Sequence, residues 1–272
     1  MPNMFEIFQY DFMLRAFGAG LMIGVLAPAI GVFLVVKRYS LLADTLAHVS
    51  LVGVAACGLI GMNPLVGAMT AAVLGSLGIE ELRARKQLFG ESALALMLSG
   101  SLALAIILFS LSRTIGLNLI SVLFGSITTV TAGDLWVMGS VGIVAVILIA
   151  LTFKKLFLVS YDEELARASG LRTRWFNALL VILAAITVSL SIRIVGTLLI
   201  GALMVIPVLT ATQLKLSFLK TYVVAIVCSV VSVVVGLTLS FYANLPSGGT
   251  IVLMALSCFL LSLLVSKQTV RL

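Results

Sequence analysis

The sequence contains few charged residues and few side chains suited to acid–base or nucleophilic chemistry. Of 272 residues, 10% are charged, one is histidine and three are cysteine, whereas 62% are hydrophobic and the mean hydropathy is +1.28. A soluble protein needs a polar exterior comparable in area to its core, and too few polar residues are present to form one. The composition therefore excludes a soluble globular domain and predicts an integral membrane protein.

Several motifs that mark enzyme classes are also absent. The chain has no GxxxxGK[ST] phosphate-binding loop, no HExxH, no CxxC and no GxSxG. Cys57, Cys228 and Cys258 lie far apart in apolar segments, without the spacing of a zinc knot or a redox pair. A single histidine offers little for acid–base or nucleophilic catalysis. Without a phosphate-binding loop, the chain does not bind ATP through that motif. We therefore expect a protein that is not an enzyme and holds no permanent cofactor.

The basic residues indicate an orientation in the membrane. A net charge of +7 would suggest nucleic acid in a soluble protein, but here the Lys and Arg residues cluster between apolar segments. With the N-terminus outside, all of the 17 basic residues except Arg15, Arg113 and Arg193 fall in inner loops. We therefore expect no nucleic-acid partner and a cytoplasmic C-terminus. Arg193 is interpreted as a short-loop charge, with an outer-face docking contact as the alternative.

Apolar segments long enough to span a bilayer recur along the whole chain. At about 20 residues per span, they cover 16–36, 40–61, 64–79, 92–112, 134–153, 176–192, 194–212, 219–242 and 248–266. The third is short enough to be tilted, broken or partly interfacial. Residues 115–130 are apolar but rich in Gly, Ser, Thr and Asn, which predicts a half-helix or re-entrant segment there. The predicted fold is an all-α, polytopic transmembrane helical bundle with about eight to nine spans plus a half-helix, forming one domain over 1–272.

Two glycine-rich stretches precede prolines inside predicted spans. One runs from Gly18 to Pro28 and the other from Gly196 to Pro207. Small residues let helices approach closely, and proline removes a helical hydrogen bond. We expect close helix contact and a kink in both.

One acid and the only histidine share an apolar segment, LLADTLAHVSLVGVAA, from Leu41 to Ala56. Asp44 and His48 are four positions apart, so on a helix they share a face with Cβ atoms about 5–6 Å apart. An ionisable residue inside a span costs about 2.5–3.5 kcal/mol on insertion scales, which makes it a candidate for function. Two interpretations are open: a pair that handles a metal ion or a proton, and a pair that satisfies itself and fixes helix packing.

A carboxylate with an imidazole suits Zn²⁺ or Mn²⁺. Two ligands do not complete a tetrahedral zinc site, which takes four. A two-fold homodimer with the ion path on its axis would supply two Asp and two His. An incomplete site also suits transit, because a tightly held ion does not leave.

A second polar segment, YDEELARASGLRTRW from Tyr161 to Trp175, lies in a predicted inner loop. Its acidic start and basic end match the dipole of a short helix, and Gly170 is a suitable C-terminal stop. It is either a docking element for a partner or an interfacial connector without one.

Five segments, in order along the chain, resemble the permease subunit of bacterial ABC importers for zinc and manganese. They are ADTLAHVSLVGVA (Ala43–Ala55), LFGSI with DLW (Leu123–Ile127, Asp134–Trp136), YDEELARASGLR (Tyr161–Arg172), GTLLIGALMVIPVLTA (Gly196–Ala211) and LPSGGTIVL (Leu245–Leu253). The resemblance implies a homodimer in the bacterial plasma (inner) membrane. It also implies a cytoplasmic ABC ATPase dimer, which would bind the ATP, and an extracellular metal-binding lipoprotein or periplasmic protein.

The resemblance also implies roles for particular residues. Asp44 and His48 match the family's acid–histidine pair, which faces the ion path. The segment that docks in the ATPase groove would comprise Asp162, Glu163, Glu164, Ala166 and Gly170. The stretches YDFMLRAFGAG (Tyr10–Gly20) and VVKRYSLLADTLAHVSL (Val35–Leu51) look most like zinc permeases of low-GC Gram-positive bacteria. The resemblance therefore implies zinc as the transported ion, with manganese or iron as the alternative.

Two other functions are compatible with the residues alone. One is a secondary transporter in which Asp44 carries a proton. The other is a membrane scaffold or enzyme subunit. Co-purification of a stoichiometric ATPase would favour the importer, whereas metal flux driven by a pH gradient without an ATPase would favour the secondary transporter.

Overall fold

The computed structural model describes residues 6–84, 90–111, 119–125, 130–192, 194–197 and 199–269, and within them it is helical with no strand. A short 3-10 helix, Glu6–Gln9, comes first. The helices that follow are α1 (Asp11–Val36), α2 (Leu42–Leu59), α3 (Pro64–Ala84), α4 (Gly90–Leu111), α5 (Leu119–Phe124), α6 (Ala132–Tyr161), α7 (Glu163–Ala168), α8 (Thr173–Ser191), α9 (Ile200–Gln213), α10 (Phe218–Ala243) and α11 (Ser247–Thr269). Arg193 lies outside the described residues.

Eight of the described helices are long and apolar enough to cross a membrane: α1, α2, α3, α4, α6, α8, α10 and α11. The apolar helix α9 is shorter, with 14 residues. This confirms an all-α bundle with the predicted number of spans. Each predicted apolar segment overlaps one of these nine helices.

Several predicted spans differ in their ends from the helices observed, among them those at α3 and α9. The expectation of a short third span is wrong, because α3 has 21 residues and continues to Ala84. Hydropathy falls at Glu80, but Glu, Leu, Arg and Ala are all good helix formers, so the helix does not stop there. The predicted span 194–212 is too long, because α9 begins only at Ile200.

The first helix occupies the centre of the bundle. It packs against α6, α8, α9 and α10. Gly20 and Gly24 allow Val233 of α10 to approach, and a Cβ at Gly31 would lie 2.0 Å from the carbonyl oxygen of Met204 in α9. Close helix contact at Gly20 and Gly24 is therefore confirmed. Helices α4 and α6 expose apolar faces suited to lipid.

Three segments distant in sequence meet at one end of the bundle. The Thr197 N–H donates to the Val122 carbonyl of α5 at 3.1 Å, and the Ser247 hydroxyl donates to the Ile194 carbonyl at 2.9 Å. Gly125 and Gly196 both adopt positive φ, +72° and +81°, where their backbones touch. These contacts explain why α9 starts late. The expected half-helix corresponds to α5, and residues 112–118 and 126–129 lie outside the described residues.

The other end, here named the α7 end, contains the α1–α2 loop, the end of α3, helix α7 and the start of α8. Lys37, Arg83, Glu163 and Asn177 contact one another there. The chain thus places the Asp44 segment and the Tyr161–Trp175 segment on adjoining elements.

Candidate metal path and coupling segment

Asp44 and His48 occupy the first two turns of α2. Both side chains are half-buried, whereas Thr45, Leu46 and Ala47 between them are fully buried. The four-residue spacing therefore places both on one less enclosed face of the helix, as the sequence predicts.

The imidazole of His48 is oriented by the backbone. Its Nδ1 lies 2.8 Å from the carbonyl oxygen of Asp44. Because a carbonyl oxygen only accepts, Nδ1 carries the proton in this hydrogen bond, and Nε2 of the neutral ring keeps its lone pair. Metal-binding histidines commonly show this arrangement, in which one ring nitrogen is held by a carbonyl and the other faces the ion.

The carboxylate of Asp44 is not used by this hydrogen bond. No residue in the described ranges donates a hydrogen bond to it or forms an ion pair with it. The interpretation of a pair that satisfies itself would require His48 to bind that carboxylate. In the structure His48 binds the Asp44 backbone instead, and both the carboxylate and Nε2 retain acceptor capacity.

The Asp44 side chain packs against helix α9 at a glycine, which leaves room for it. Gly201, in the first turn of α9, faces the carboxylate so closely that a Cβ there would lie 1.8 Å from Oδ1. The N-terminal turns of α2 and α9 therefore meet at Asp44. Sequence reasoning identified Gly201 only as a helix-contact residue, because its pairing with Asp44 is a long-range contact.

The described part of one chain does not form a complete set of metal-ligating side chains. Among the described residues no group of three or more His, Cys, Asp or Glu side chains is placed to hold an ion. Asp44 and His48 are thus at most a group of two, and their role as metal ligands stays a prediction.

A network of charged side chains joins four helices at the α7 end. Glu163 of α7 lies 2.6 Å from Arg83 of α3 and 3.7 Å from Lys37, which follows α1. Arg83 also lies 3.3 Å from Glu80, and the Lys37 amine donates to the side-chain oxygen of Asn177 in α8. Sequence reasoning missed Lys37, Glu80, Arg83 and Asn177, since their long-range pairing has no local signal.

The charges in this network alter one another's titration. Burial, and then the adjacent Arg83 charge, lower the pKa of Lys37 from 10.5 to about 8, although Glu163 opposes the shift. Burial works to raise the pKa of Glu163, but Lys37 and Arg83 outweigh it and hold that pKa below its usual value. Glu163 is therefore a carboxylate at neutral pH that ties α7 to α1 and α3.

Helix α7 has well-defined ends. Asp162 caps its first turn, accepting from the Leu165 N–H at 2.9 Å. Gly170 follows with φ of +80°, a conformation that glycine adopts without strain. Both residues thus shape the segment.

The two faces of α7 are distinct. Ala166 is fully buried and Glu163 points into the ion network, so both anchor the helix to the bundle. Glu164 and Leu165 point outward, and Leu165 is 52% exposed. Of the predicted coupling residues, Asp162 and Glu164 have exposed side chains. Leu165 is an outward apolar residue that the sequence reading missed.

Comparison with known proteins covers nearly the whole chain. Residues 9–266 match the ABC 3 transport family. A "Probable metal transport system membrane protein" of Treponema pallidum is 38% identical over 89% of this chain and 90% of its own. The "Manganese transport system membrane protein MntC" of Listeria monocytogenes is 30% identical over 96% of this chain and 93% of its own.

A solved structure has the same fold. It is described as PsaBC from Streptococcus pneumoniae in complex with Fab, and one of its chains superimposes with a TM-score of 0.85 at 29% identity, covering 94% of this chain and 92% of that chain. Fold, family match and full-length relatives agree, so the chain belongs to the ABC 3 transport family and is a multi-pass membrane permease of the metal-importing ABC type.

Proposed function

We propose that this permease conducts a divalent transition-metal ion, Zn²⁺ or Mn²⁺, and that Asp44 and His48 contact the ion. The observation that carries the proposal is that the Asp44 carboxylate and His48 Nε2, two acceptors on one helix face, have no hydrogen-bond donor in the described part of the chain. Hard oxygen and imidazole nitrogen donors suit both ions. A two-ligand face binds weakly enough to release its cargo.

Two lines of reasoning bear on which metal is carried. The Tyr10–Gly20 and Val35–Leu51 stretches favour zinc by resemblance, whereas the Listeria relative is named for manganese. The ligand types do not separate the ions, because carboxylate and imidazole bind both. Zinc stays the prediction from sequence and manganese is the second candidate.

The proposed assembly is a homodimer with the ion path on its axis, where two copies of Asp44 and His48 complete the shell. A separate ATPase dimer docks on the outward face of α7, at Glu164 and Leu165, on the cytoplasmic side. A metal-binding lipoprotein or periplasmic protein docks at the opposite, outer end of the bundle. The N-terminus is then outside and the C-terminus cytoplasmic.

Coupling in this proposal is mechanical. ATP binding by the partner changes the affinity of its groove for α7, and only such a difference in affinity between two states drives a conformational switch. Glu163 transmits the motion to Lys37, which lies at the end of α1 just before α2. The turn carrying Asp44 thereby moves relative to Gly201, which opens or closes the ion face.

Metal uptake by the reconstituted complex tests the proposal. The permease with its ATPase and binding protein is placed in proteoliposomes and offered Zn²⁺ and Mn²⁺ separately. Asp44→Asn and His48→Gln should each reduce uptake by about tenfold or more, as expected when one of two direct ligand contacts is lost. Asp11→Asn is the matched control, because Asp11 is also in the first turn of a helix but is exposed.

Wild-type uptake by a folded double variant, Asp44→Asn with His48→Gln, would disprove the site. Metal flux driven by a pH gradient without the ATPase would instead identify a secondary transporter. Uptake of one ion at rates well above the other decides between zinc and manganese.

A further inference from the structure

A cavity of about 730 Å³ opens at the α7 end, away from Asp44. It lies between the C-terminal ends of α1, α6 and α9 and the start of α10. Its walls are apolar at Val32, Phe157, Val208 and Phe218 and polar near the helix ends. The cavity therefore has an apolar interior and a polar rim at the level where helices leave the membrane.

Ser160 contributes to this cavity wall, and its hydroxyl oxygen is buried beside the cavity. The residue is only 6% exposed, and its Oγ has no hydrogen-bond partner among the residues that the structure describes. Buried polar atoms in native proteins are nearly always paired, because an unpaired one has lost its water without replacement. A hydrogen-bond acceptor on a molecule in the cavity would pair this hydroxyl once the side chain turned towards it.

The charge at the rim is positive. Arg38 lines the cavity, is exposed, and forms no ion pair with any acid in the described ranges. Lys37 is also at the rim, although its charge is partly balanced by Glu163. None of the residues that line the cavity is Asp or Glu. The rim therefore attracts an anion.

We propose that this cavity binds an anionic phospholipid. Its phosphate oxygens accept hydrogen bonds from the Arg38 guanidinium and the Ser160 hydroxyl, and an acyl chain lies against Val32, Val208 and Phe218. Basic pockets between transmembrane helices are suited to anionic headgroups. A free phosphate ion shares the headgroup chemistry but leaves the apolar walls uncovered, so the observations favour the lipid.

Lipid binding is tested with the full-length permease, delipidated and placed in nanodiscs. One set contains phosphatidylcholine only, and the other adds phosphatidylglycerol. Phosphatidylglycerol should raise the Tm of the wild type, and Arg38→Gln and Ser160→Ala should lose most of that gain. Native mass spectrometry should show about tenfold weaker phosphatidylglycerol binding for Arg38→Gln, the change expected for losing one charge-assisted hydrogen bond.

Two controls separate lipid binding from a structural effect. Lys154→Gln removes an exposed charge on α6 that does not line the cavity, so it should keep the full gain. In phosphatidylcholine alone, Ser160→Ala should be at least as stable as the wild type, because it removes an unpaired buried hydroxyl. The same gain in Arg38→Gln and Ser160→Ala as in the wild type overturns the proposal, and so does equal stabilisation by inorganic phosphate.

Discussion

Gly201 and the carboxylate of Asp44 are in direct contact across the α2–α9 interface, so that any Cβ at 201 would lie 1.8 Å from Oδ1. The Asp44 carboxylate can therefore lie where it does only because residue 201 is glycine and has no side chain. This contact couples the proposed ion ligand to α9, a helix that begins more than 150 residues later in the chain, at Ile200.

Replacing Gly201 with alanine should displace the Asp44 side chain and reduce metal uptake by about tenfold or more, because small displacements of functional groups cost large factors in rate. The measurement is uptake by the reconstituted complex. Gly78→Ala is the control, since Gly78 also lies in a helix and a Cβ there meets nothing within 4 Å. Normal uptake by Gly201→Ala would show that Asp44 does not act from this position.

The protonated nitrogen of His48 can be observed directly, because the chain has a single histidine. In ¹⁵N-histidine-labelled permease at mildly alkaline pH, Nδ1 should show the chemical shift of a protonated nitrogen and Nε2 that of an unprotonated one. Adding Zn²⁺ should shift the Nε2 signal most, since Nδ1 is held by the Asp44 carbonyl. The opposite tautomer, or a zinc shift confined to Nδ1, would contradict the proposed ligand.

The two faces of α7 should respond differently to substitution. Glu163→Gln removes the ion-pair partner of Arg83 and Lys37 and should lower the free energy of unfolding by about 1–2 kcal/mol. This is less than the loss expected for a fully buried ion pair, because Glu163 and Arg83 are partly exposed. Glu164→Gln with Leu165→Ala should leave the Tm unchanged and weaken co-purification of the ATPase. If Glu163→Gln instead weakened co-purification without changing stability, the ATPase would dock on the face of α7 that carries Glu163.

The ammonium group of Lys37 should titrate near pH 8, because burial lowers its pKa from 10.5 to about 8. Glu163→Gln should lower that pKa further, whereas Arg83→Gln should raise it, since the first removes an attractive charge and the second a repulsive one. Competitive labelling with acetic anhydride, read by mass spectrometry, measures the midpoint. Shifts of the same sign in both variants would contradict the network.

The same pKa has a consequence for stability. Between pH 8 and 10.5 the unfolded chain binds more protons at Lys37 than the folded chain does. The free energy of unfolding should therefore rise with pH across this window, by up to about 1.4 kcal/mol per pH unit. Lys37→Met should remove this contribution, which denaturant unfolding at several pH values measures.

The end of the bundle opposite α7 should depend on Gly196. Alanine there would adopt φ of +81°, and its Cβ would lie 2.3 Å from the Leu123 carbonyl oxygen. Gly61→Ala is the matched control, because Gly61 also has positive φ, +70°, but a Cβ there meets nothing within 4 Å. Positive φ alone costs about 1–2 kcal/mol, so Gly196→Ala should lower the Tm clearly more than Gly61→Ala. Equal losses would show that the close contact with α5 does not matter.

Local patterns predicted most of the helices but not all of their ends. Hydropathy located nine helices because a span requires about 20 apolar residues in a row. It placed the start of α9 six residues early, since Ile194 and Val195 are apolar although their backbone is held by contacts with Ser247 and Gly248. Hydropathy also ended α3 too soon, because its last turns contain charged residues that are polar but still helical.

The sequence alone determined the membrane class, the approximate spans and the shared face of Asp44 and His48. These properties depend on composition and on the 3.6-residue helical period, which act over a few neighbouring positions. Only the tertiary structure decided that Gly201 faces Asp44, that Glu163 points inward to Arg83, 80 positions away, and that Ser160 lines a cavity beside Arg38. Such pairings depend on how distant helices pack, and no local pattern encodes them.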